Sequence, residues 1–397
     1  MRNVAGFALT WASAFIAVVA IMVNSPALFY MGTGLIATIG ACRFQARLAC
    51  KGLRFERVAP DSAQVGELLT VEIIVWSERK IRRPLVTITD NLPEGLITAD
   101  ITPSLPIAPA FDFPIRTQYQ FRPLRSGHYT WEGLTVVGTD ALGLVTHAME
   151  YETDKAEMTV LPRPIATHIE LPSAAGWGVS EAESGHTRGA GLEPWGVRNY
   201  VHGDSLRHVH WRSTARKGQL LVKEFEAGTH AAAAFLLQNS VGSDIGQGAQ
   251  TTLELMKSHA VFLAENLLLQ GARIELPGLD RNPSHGSQHE RLNEIYEELA
   301  WLKADGERTL GEMASGLSGR FPPGSILFVL LSVADDSLPG AIGSLAVRGT
   351  VVSPLLYDAK LYDPTAQIRP AVDPAFVREL RAAGAAPILM KMEGLGG

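Results

Sequence analysis

Cysteine is scarce in this sequence, and its scarcity excludes one class of protein. The 397 residues include only two cysteines, Cys42 and Cys50, which lie close together beside an apolar N-terminal stretch. They cannot cross-link distant parts of a fold, so a secreted disulfide-stabilised scaffold is excluded and a reducing compartment is favoured. Two ordinary thiols near a membrane surface are the simpler interpretation, and acylated thiols are the alternative.

The familiar catalytic motifs are absent as well. The sequence has no Gly-x-Ser-x-Gly elbow, no Walker phosphate loop, no His-Glu-x-x-His pair and no cysteine after Cys50 to act as a nucleophile. We therefore predict neither a catalytic residue nor a cofactor, and we expect that the chain is not an enzyme. A formal net charge of -6 argues against a general attraction to nucleic acid.

Charge is also missing from the first part of the chain. No charged residue occurs between Arg2 and Arg43, and Asn24-Ser25-Pro26 divides this stretch into two apolar segments, 4–23 and 26–42. The first is long enough to cross a hydrocarbon core of about 30 Å, and the second is near the short limit. Basic residues flank the two segments: Arg2, Arg43, Arg47, Lys51 and Arg54. The positive-inside tendency predicts a helical hairpin in the bacterial inner membrane, with both ends and the rest of the chain in the cytoplasm.

Two other interpretations of the apolar segments are weaker. A cleaved signal peptide has a shorter apolar region and a polar continuation, whereas here a second apolar segment follows at once. The run Gly32-Thr33-Gly34-Leu35-Ile36-Ala37 superficially resembles a dinucleotide-binding glycine pattern. Inside an uncharged apolar stretch, however, small residues are typical of close helix packing.

Changes of pattern divide the rest of the chain into four parts. Residues 51–161 contain short alternating runs separated by turn signals, which predicts an all-β immunoglobulin-like sandwich, and 162–190 form a linker rich in Pro, Gly, Ala and Ser. A distinctive segment, 191–226, follows the linker. Residues 227–397 alternate apolar runs with helical patterns, which predicts an α/β doubly wound domain with a parallel sheet covered on both faces. The predicted strands are 69–76, 85–89, 116–121, 129–137 and 156–161 in the sandwich and 232–237, 272–276, 326–331, 350–356 and 387–390 in the α/β domain.

The segment 191–226 contains a dense motif. It reads Arg-x-Tyr-x-x-Gly-Asp-x-x-Arg-x-x-x-Trp-x-x-x-Ala-Arg, then a glycine and a Leu-x-Val-x-Glu strand. The motif positions are Arg198, Tyr200, Gly203, Asp204, Arg207, Trp211, Ala215, Arg216, Gly218, Leu220, Val222 and Glu224. This pattern resembles the signature of the domain of unknown function 58 family. The N-terminal hairpin, the sandwich motifs Arg125-Ser-Gly-His-Tyr and Asp140-Ala-Leu-Gly-Leu, and the α/β part follow that family's order too.

Three interpretations of the signature segment remain open. In the first it is a folding clamp, in which Gly203-Asp204 caps a helix that begins near Ser205 and stops at Gly218, while Trp211 supplies buried area. In the second it is a partner-binding surface, and in the third an anion or nucleotide site. The arginines suit each of these roles: Arg198, Arg207, Arg212 and Arg216. His208 and His210 are not expected to bind metal, because two residues apart on a helix they point to nearly opposite sides.

The resemblance also implies that the α/β part is a von Willebrand factor A-like domain. Such a domain holds Mg2+ with the oxygens of Asp-x-Ser-x-Ser after its first strand. The corresponding stretch begins here with Gln238, and Gly242 replaces the second serine, so only Ser240 remains in register. An amide is a weaker Mg2+ ligand than a carboxylate, so we predict a degenerate site without metal. Asp335 and Asp336, after a later strand, are interpreted as ordinary polar loop residues.

A function is implied by the same resemblance. Members of the family are similar to partners of MoxR-type AAA+ ATPases, which are thought to act in protein maturation or envelope stress. By that resemblance the chain is a membrane-anchored cytoplasmic adaptor or scaffold, whose partners are the lipid bilayer and a MoxR-type ATPase. The alternative is an anion-binding, nucleotide-binding or enzymatic domain that uses the segment from Arg198 to Glu226. Binding of nucleic acid by that segment is disfavoured by its interleaved acidic residues: Asp204, Glu224 and Glu226.

Overall fold

The chain forms two compact units that differ in architecture. The computed structural model describes residues 4–80, 83, 85–97, 103–167, 169, 194–199, 210–225, 232–279 and 287–390. The units are Met1–Leu161 and Pro162–Gly397. The first begins with two apolar helices and continues as β-sheets, and the second contains a parallel sheet with helices.

The apolar N-terminal segments are two long helices. Helix α1 is Val4–Val23 and helix α2 is Pro26–Cys50, and by length and composition both are able to cross a membrane. The prediction that the second segment ends at residue 42 is wrong for the helix, since α2 continues for about two more turns. Residues 43–50 include the polar or basic Arg43, Gln45 and Arg47, but residues of these types still favour helix, so the loss of hydropathy there does not end α2.

The rest of the first unit is a β-sandwich. Its described strands are β1 (Leu53–Val58), β2 (Ser62–Gln64), β3 (Leu69–Ser77), β4 (Val86–Asp90), β5 (Ser104–Ile107), β6 (Ile115–Phe121), β7 (Gly127–Trp131), β8 (Leu134–Thr139), β9 (Thr146–Tyr151) and β10 (Ala156–Leu161). Two antiparallel sheets, in the orders β1-β3-β6 and β5-β4-β8-β9, share one apolar core, and a smaller sheet has the order β2-β10-β7. Alternating positions of facing strands fill that core: Val71, Ile73, Val75, Val86, Ile88, Leu134 and Val136. The predicted β-rich region after the helices is therefore confirmed.

One predicted sandwich strand is too long. The alternation from Tyr129 to Val137 predicts a single strand, but β7 and β8 are separate strands in different sheets. The chain turns between them at Gly133, whose φ of 83° lies in the left-handed region. Glycine adopts this conformation without the steric cost that a Cβ atom imposes. Trp131 and Leu134 are both buried and three residues apart, so the two-residue alternation shifts by one residue at the turn.

The second unit combines a β-ribbon with an α/β sheet. Its described elements are β11 (Pro194–Asn199), α3 (Trp211–Lys217), β12 (Leu221–Phe225), β13 (Ala232–Leu237), β14 (Gly246–Gln247), β15 (Gln250–Thr251), α4 (Thr252–Leu269), β16 (Arg273–Glu275), α5 (Gln288–Trp301), α6 (Leu310–Gly316), β17 (Ile326–Leu331), α7 (Leu338–Val347), β18 (Val351–Leu356), α8 (Pro374–Ala382) and β19 (Ile388–Leu389). Parallel strands in the order β16-β13-β17-β18-β19 form the central sheet, and β11 pairs with β12. Helices α4 and α5 cover one face of the sheet and α6, α7 and α8 the other, which agrees with the pattern of apolar runs.

Candidate functional site

The strand order of the α/β unit defines one crevice. In a doubly wound sheet, ligands bind beyond the carboxyl ends of the strands at the point where the strand order reverses. In this sheet that point lies beyond the ends of β13 and β17, because the chain passes from β13 to the edge strand β16 and returns to the other side at β17. Gln238 follows β13 and Ser332 follows β17. These two residues occupy the place where a doubly wound domain holds its ligand.

Gln238 uses its side-chain amide to join the two strand ends. Its Oε1 atom accepts hydrogen bonds from the backbone N–H groups of Ser332 and Val333, both at 3.0 Å. Its Nε2 atom donates to the carbonyl oxygen of Val333, also at 3.0 Å, and the residue is only 4% exposed. An ionised Asp or Glu accepts hydrogen bonds but cannot donate the third one. The amide therefore acts as a buried bridge between the strands.

The other residues of the predicted degenerate metal site shape the loop after Gln238. The carbonyl oxygen of Ser240 accepts hydrogen bonds from Ser243, at 3.0 Å from its N–H group and 2.7 Å from its hydroxyl. Gly242 lies within this turn with a φ of 82°. Within the described ranges of the chain, no cluster of three or more His, Cys, Asp or Glu side chains is arranged to hold a metal ion.

The acidic residues after β17 bind other parts of the protein. Asp335 accepts hydrogen bonds from the backbone N–H groups of Gly311 at 3.3 Å and Ser337 at 2.9 Å. Asp336 forms an ion pair with Arg369 at 2.6 Å. Asp335 therefore connects the beginnings of α6 and α7, while Asp336 supports the neighbouring loop.

We expect Gln238→Ala to lower the stability of the α/β unit by about 1–3 kcal/mol, because buried backbone groups at the end of β17 lose their partner. The measurement is urea unfolding of the full chain in detergent, followed by circular dichroism. Gln247→Ala is the matched control, since the Gln247 side chain is exposed on β14. Equal stability of the two variants would show that the bridge contributes nothing.

The signature segment forms the β-ribbon and helix α3. Arg198 on β11 lies opposite Val222 on β12, and Glu224 on β12 lies opposite Gly196. Helix α3 ends at Gly218, whose φ of 66° is left-handed, so the predicted stop is confirmed. Four motif residues lie outside the described residues: Tyr200, Gly203, Asp204 and Arg207. Their proposed roles, including the cap at Asp204, stay predictions, as does the role of His208, which is outside the described ranges too.

His210 begins the helix that Gly218 ends. The His210 side chain accepts a hydrogen bond from the Ser213 backbone N–H at 3.2 Å, and its own backbone N–H donates to the Leu221 carbonyl oxygen at 2.8 Å. Thr214 Oγ1 accepts a hydrogen bond from the Leu221 backbone N–H at 3.0 Å. These bonds attach α3 to the beginning of β12. The helix that Gly218 ends begins at Trp211, after an imidazole cap that the Ser/Thr/Asp/Asn rule does not anticipate. The predicted helix start near Ser205 lies outside the described residues.

Helix α3 presents an aromatic ring and positive charge to solvent. Trp211 is 65% exposed, so the prediction that it supplies buried area is wrong. Three basic side chains of the helix are exposed as well, and we call the set the α3 basic surface: Trp211, Arg212, Arg216 and Lys217. Trp and Arg are enriched among the residues that dominate the binding energy of protein interfaces. The structure thus brings Trp211, Arg212 and Arg216 together on one exposed element.

A further feature, missed in the sequence, joins α2 to the sandwich. Arg83 donates hydrogen bonds to the backbone carbonyl oxygens of Leu48 at 3.1 Å, Ala49 at 2.7 Å and Gly52 at 3.4 Å, where α2 ends. A guanidinium is suited to this role because helices leave their last carbonyl groups without partners. The hydroxyl of Tyr151 donates to the Cys50 carbonyl oxygen. The basic run from Arg79 to Arg83 was the only sequence signal, and it does not indicate which arginine turns inward.

Small residues allow close contact at the same junction. A Cβ atom on Gly138 of β8 would lie 2.7 Å from the Cys50 sulfur and 2.8 Å from the Ala46 carbonyl oxygen, so glycine is required there. Cys42 and Cys50 are both buried and unpaired thiols. Burial of both thiols weighs against the acylation interpretation, because an acyl chain needs an accessible sulfur.

The signature segment and the residues after it match a known family. Residues 196–315 match the family model described as protein of unknown function DUF58. A curated relative, the uncharacterized protein YeaD of Bacillus subtilis (strain 168), is 24% identical over 274 residues, which are 66% of this chain and 63% of the relative. This match agrees with the family that the motif predicted, and the chain spans less than two thirds of the length of this relative.

Solved structures similar to parts of the chain contain β-sandwich domains. The CARDB domain of a Pyrococcus furiosus protein is 19% identical and covers 27% of this chain and 91% of its own, with a TM-score of 0.20. The PKD domain of an M14-like peptidase from Thermoplasmatales archaeon SCGC AB-540-F20 is 14% identical and covers 27% of this chain and 91% of its own, with a TM-score of 0.17. Likenesses with such low scores carry no conclusion about the function of this chain.

Proposed function

We propose that this chain is a membrane-anchored adaptor, without enzymatic activity of its own, that holds its β-sandwich and its second unit on the cytoplasmic side of the bacterial inner membrane. The observation that carries this proposal is the apolar surface of α1 and α2. Large side chains on both helices are exposed: Phe7, Trp11, Phe15, Ile21, Met22, Phe29, Tyr30, Met31 and Ile36. A continuous apolar surface of this kind is costly in water and is stable in lipid.

The basic residues around the helices support the orientation. Arg43 and Arg47 on α2 and Lys51 directly after it are all exposed. Positively charged flanks favour the cytoplasmic side of the membrane. The β-sandwich of the first unit and the whole second unit follow these residues in the chain, so the proposal assigns both to the cytoplasm.

We further propose that the α/β unit is a von Willebrand factor A-like domain that binds its partner without a metal ion. The parallel doubly wound sheet and the position of Gln238 directly after β13 support this assignment. The Gln238 side-chain oxygen already accepts hydrogen bonds from Ser332 and Val333. It is also a weaker Mg2+ ligand than the aspartate carboxylate of a metal-binding von Willebrand factor A domain.

The partner we propose is a MoxR-type AAA+ ATPase, and the α3 basic surface is the proposed contact. Exposed Trp211 offers a large apolar area, and Arg212 and Arg216 offer charged donors to carboxylates on a partner. Neither an enzymatic role nor a nucleotide-binding role is supported by a comparable arrangement among the described residues.

The test is co-purification of the full chain with the MoxR-type ATPase of the same organism. Membranes containing the chain are washed with alkaline carbonate, solubilised in detergent and mixed with the purified ATPase. We expect the wild-type chain to stay in the membrane through the wash and then to capture the ATPase. The variant Trp211→Ala/Arg212→Ala/Arg216→Ala should melt at the wild-type temperature and capture at least about ten-fold less, which corresponds to a loss of about 1.4 kcal/mol.

The control for this test is Trp301→Ala, which shortens another half-exposed tryptophan, on α5. Equal capture by the triple variant and this control would contradict the role of the α3 basic surface. A chain that the carbonate wash extracts would contradict the membrane anchor.

A further inference from the structure

The hydrogen-bonded turn between β8 and β9 exposes an apolar side chain. Asp140 is buried, and its carboxylate accepts hydrogen bonds from the backbone N–H groups of Leu142 at 3.0 Å and Val145 at 2.6 Å. The Gly143 N–H donates to the Asp140 carbonyl oxygen at 3.1 Å. At the tip of this turn Leu142 is 64% exposed. The fold thus fixes a leucine in a position where the protein itself does not cover it.

The lengths of the helices indicate which residues lie at one boundary of the bilayer. Helix α1 has 20 residues. At 1.5 Å per residue it spans about 30 Å, the thickness of a hydrocarbon core. The two helices are antiparallel, with Gly32 of α2 packed against Ala17 of α1. By the same spacing, the beginning of α1 and Gln45 of α2 lie at the same level, and the last turn of α2 projects beyond it.

The β8–β9 turn lies at that level, beside both helices. The backbone N–H of Ala141 donates a hydrogen bond to Gln45 Oε1 at 3.1 Å. On the other helix, Gly6 approaches the Leu144 carbonyl oxygen so closely that a Cβ atom would overlap it. Two independent contacts therefore place the turn at the end of the membrane-spanning length of each helix.

The same end of the sandwich has other features of an interfacial surface. Leu85 directly precedes Val86, which pairs with Gly138 next to the turn, and it is exposed. Phe111 forms a bridge with Ser77, which pairs with Leu53 where the chain enters from α2, and Phe111 and Phe113 are exposed too. Exposed apolar side chains combined with Arg and Lys are typical of surfaces that bind anionic lipid. Exposed cations at this end include Arg43, Arg47, Lys51, Arg79 and Lys80.

We propose that the turn Asp140–Val145 is a third membrane contact of this chain, in which Leu142 enters the headgroup region of the bilayer that α1 and α2 cross. This inference rests on the proposed membrane anchor. It assigns a physical role to the motif Asp140-Ala-Leu-Gly-Leu: the carboxylate and the glycine shape the turn, and the leucine contacts lipid. The sandwich is then held against the membrane surface at three points.

The test measures the depth of position 142 in the full chain. The variant Leu142→Cys is labelled with the fluorophore NBD and reconstituted into vesicles of phosphatidylcholine with phosphatidylglycerol. We expect a blue-shifted emission that lipids with a spin label near the headgroup quench at least several-fold more than a water-soluble quencher does. The wild-type chain, treated identically, corrects for any labelling of buried Cys42 and Cys50.

The matched control is Glu152→Cys, which lies at the opposite end of the β8–β9 hairpin and is exposed. Six residues of β9 separate the two ends by about 20 Å, so the probe at position 152 should remain in water. Equal, water-like signals at both positions, in a chain that resists carbonate extraction, would overturn the third contact and leave the anchor intact. A blue-shifted probe that lipid quenchers do not reach would mean that protein covers Leu142, which also overturns it. A chain that carbonate extracts would overturn both proposals.

Discussion

Replacing Arg57 by Met should destabilise the sandwich by about 3–5 kcal/mol, the range expected when a buried ion pair loses one partner. Arg57 donates to Asp90 from Nη2 at 2.8 Å and from Nε at 3.1 Å, and the two side chains are 1% and 0% exposed. The same guanidinium donates to the Gly133 carbonyl oxygen at 2.9 Å. In the Arg57→Met chain the Asp90 carboxylate stays buried without its cation, and this uncompensated charge is the source of the loss.

Tyr119 is a second hydrogen-bond donor to the buried Asp90 carboxylate. Its hydroxyl donates to Asp90 Oδ2 at 2.6 Å. Burial, together with the charge of Asp90, raises the pKa of the Tyr119 hydroxyl far above its ordinary value, so the group remains a donor at any usual pH. Asp90 therefore keeps one neutral donor in the variant, but a hydroxyl does not balance a full negative charge.

The measurement for the Arg57 prediction is urea unfolding of the full chain in detergent, with tryptophan fluorescence as the signal. Trp131 reports on the site directly because the Arg57 guanidinium lies 5.8 Å from its ring centre. The control is Arg54→Met on the same strand, since Arg54 pairs with Glu78 on the surface and should contribute little. The double variant Arg57→Met/Asp90→Leu should regain much of the stability, because it removes both charges. A loss no larger than that of Arg54→Met would contradict the prediction.

The second large effect is a dependence of stability on pH that originates at His259. This residue lies on α4, is 1% exposed, and has its Nδ1 atom 3.0 Å from the hydroxyl oxygen of Tyr357. Burial lowers the pKa of His259 from 6.5 to about 4 and raises the pKa of Tyr357 well above 10.0. The neutral imidazole and the protonated hydroxyl therefore share a hydrogen bond in the folded protein.

The sign of the effect follows from the lowered pKa. The unfolded chain binds a proton at His259 near pH 6.5, and the folded chain only near pH 4. The stability from the neutral ring is fully present above pH 6.5 and is lost as the pH falls from there through about 4. Between about pH 7.5 and about pH 4.5, the contribution of this residue to the free energy of unfolding should fall by about 2–3 kcal/mol.

Comparing two chains at two pH values separates the contribution of His259 to the pH dependence of stability from that of the carboxylates, which titrate in the same range. The free energy of unfolding is measured for the wild type and for His259→Gln at both pH values, again with the full chain in detergent. The wild type should lose about 2–3 kcal/mol more on acidification than the variant does. If both chains lose the same amount, protonation of His259 is not coupled to folding.

Sequence patterns predicted the secondary structure best where burial in the core alone determines the residue types. The strands β13, β17 and β18 were predicted almost to the residue, because a strand buried on both faces must be a continuous apolar run. The break at Gly133 escaped prediction because the alternation shifts there by a single residue, which a bulge within one continuous strand would also produce. The end of α2 was placed too early for a related reason: hydropathy reports where lipid ends, whereas a helix continues as long as its residues favour it and its last carbonyls find partners.

The candidate site was less predictable because it depends on contacts between distant residues. The motif predicted the family that matches residues 196–315 and the stop at Gly218, but motif spacing does not tell whether Trp211 faces inward or outward. The substitution of Gln238 for an acid was visible in the sequence. Its bridging role was not, since that role requires the backbone of Ser332 and Val333, nearly a hundred residues later, to lie within hydrogen-bond distance.

Only Lys51 and Gly52 separate the end of α2 from the beginning of β1, and this short connection has a mechanical consequence. Arg83 is hydrogen-bonded to the last carbonyl groups of α2, so the connection between this helix and the sandwich is short and fixed by hydrogen bonds. With α2 in the bilayer as proposed, a tilt or rotation of this helix would therefore turn the sandwich by a similar angle. A change in bilayer thickness alters the tilt of a spanning helix. In this chain it would therefore change the orientation of the β-sandwich as well.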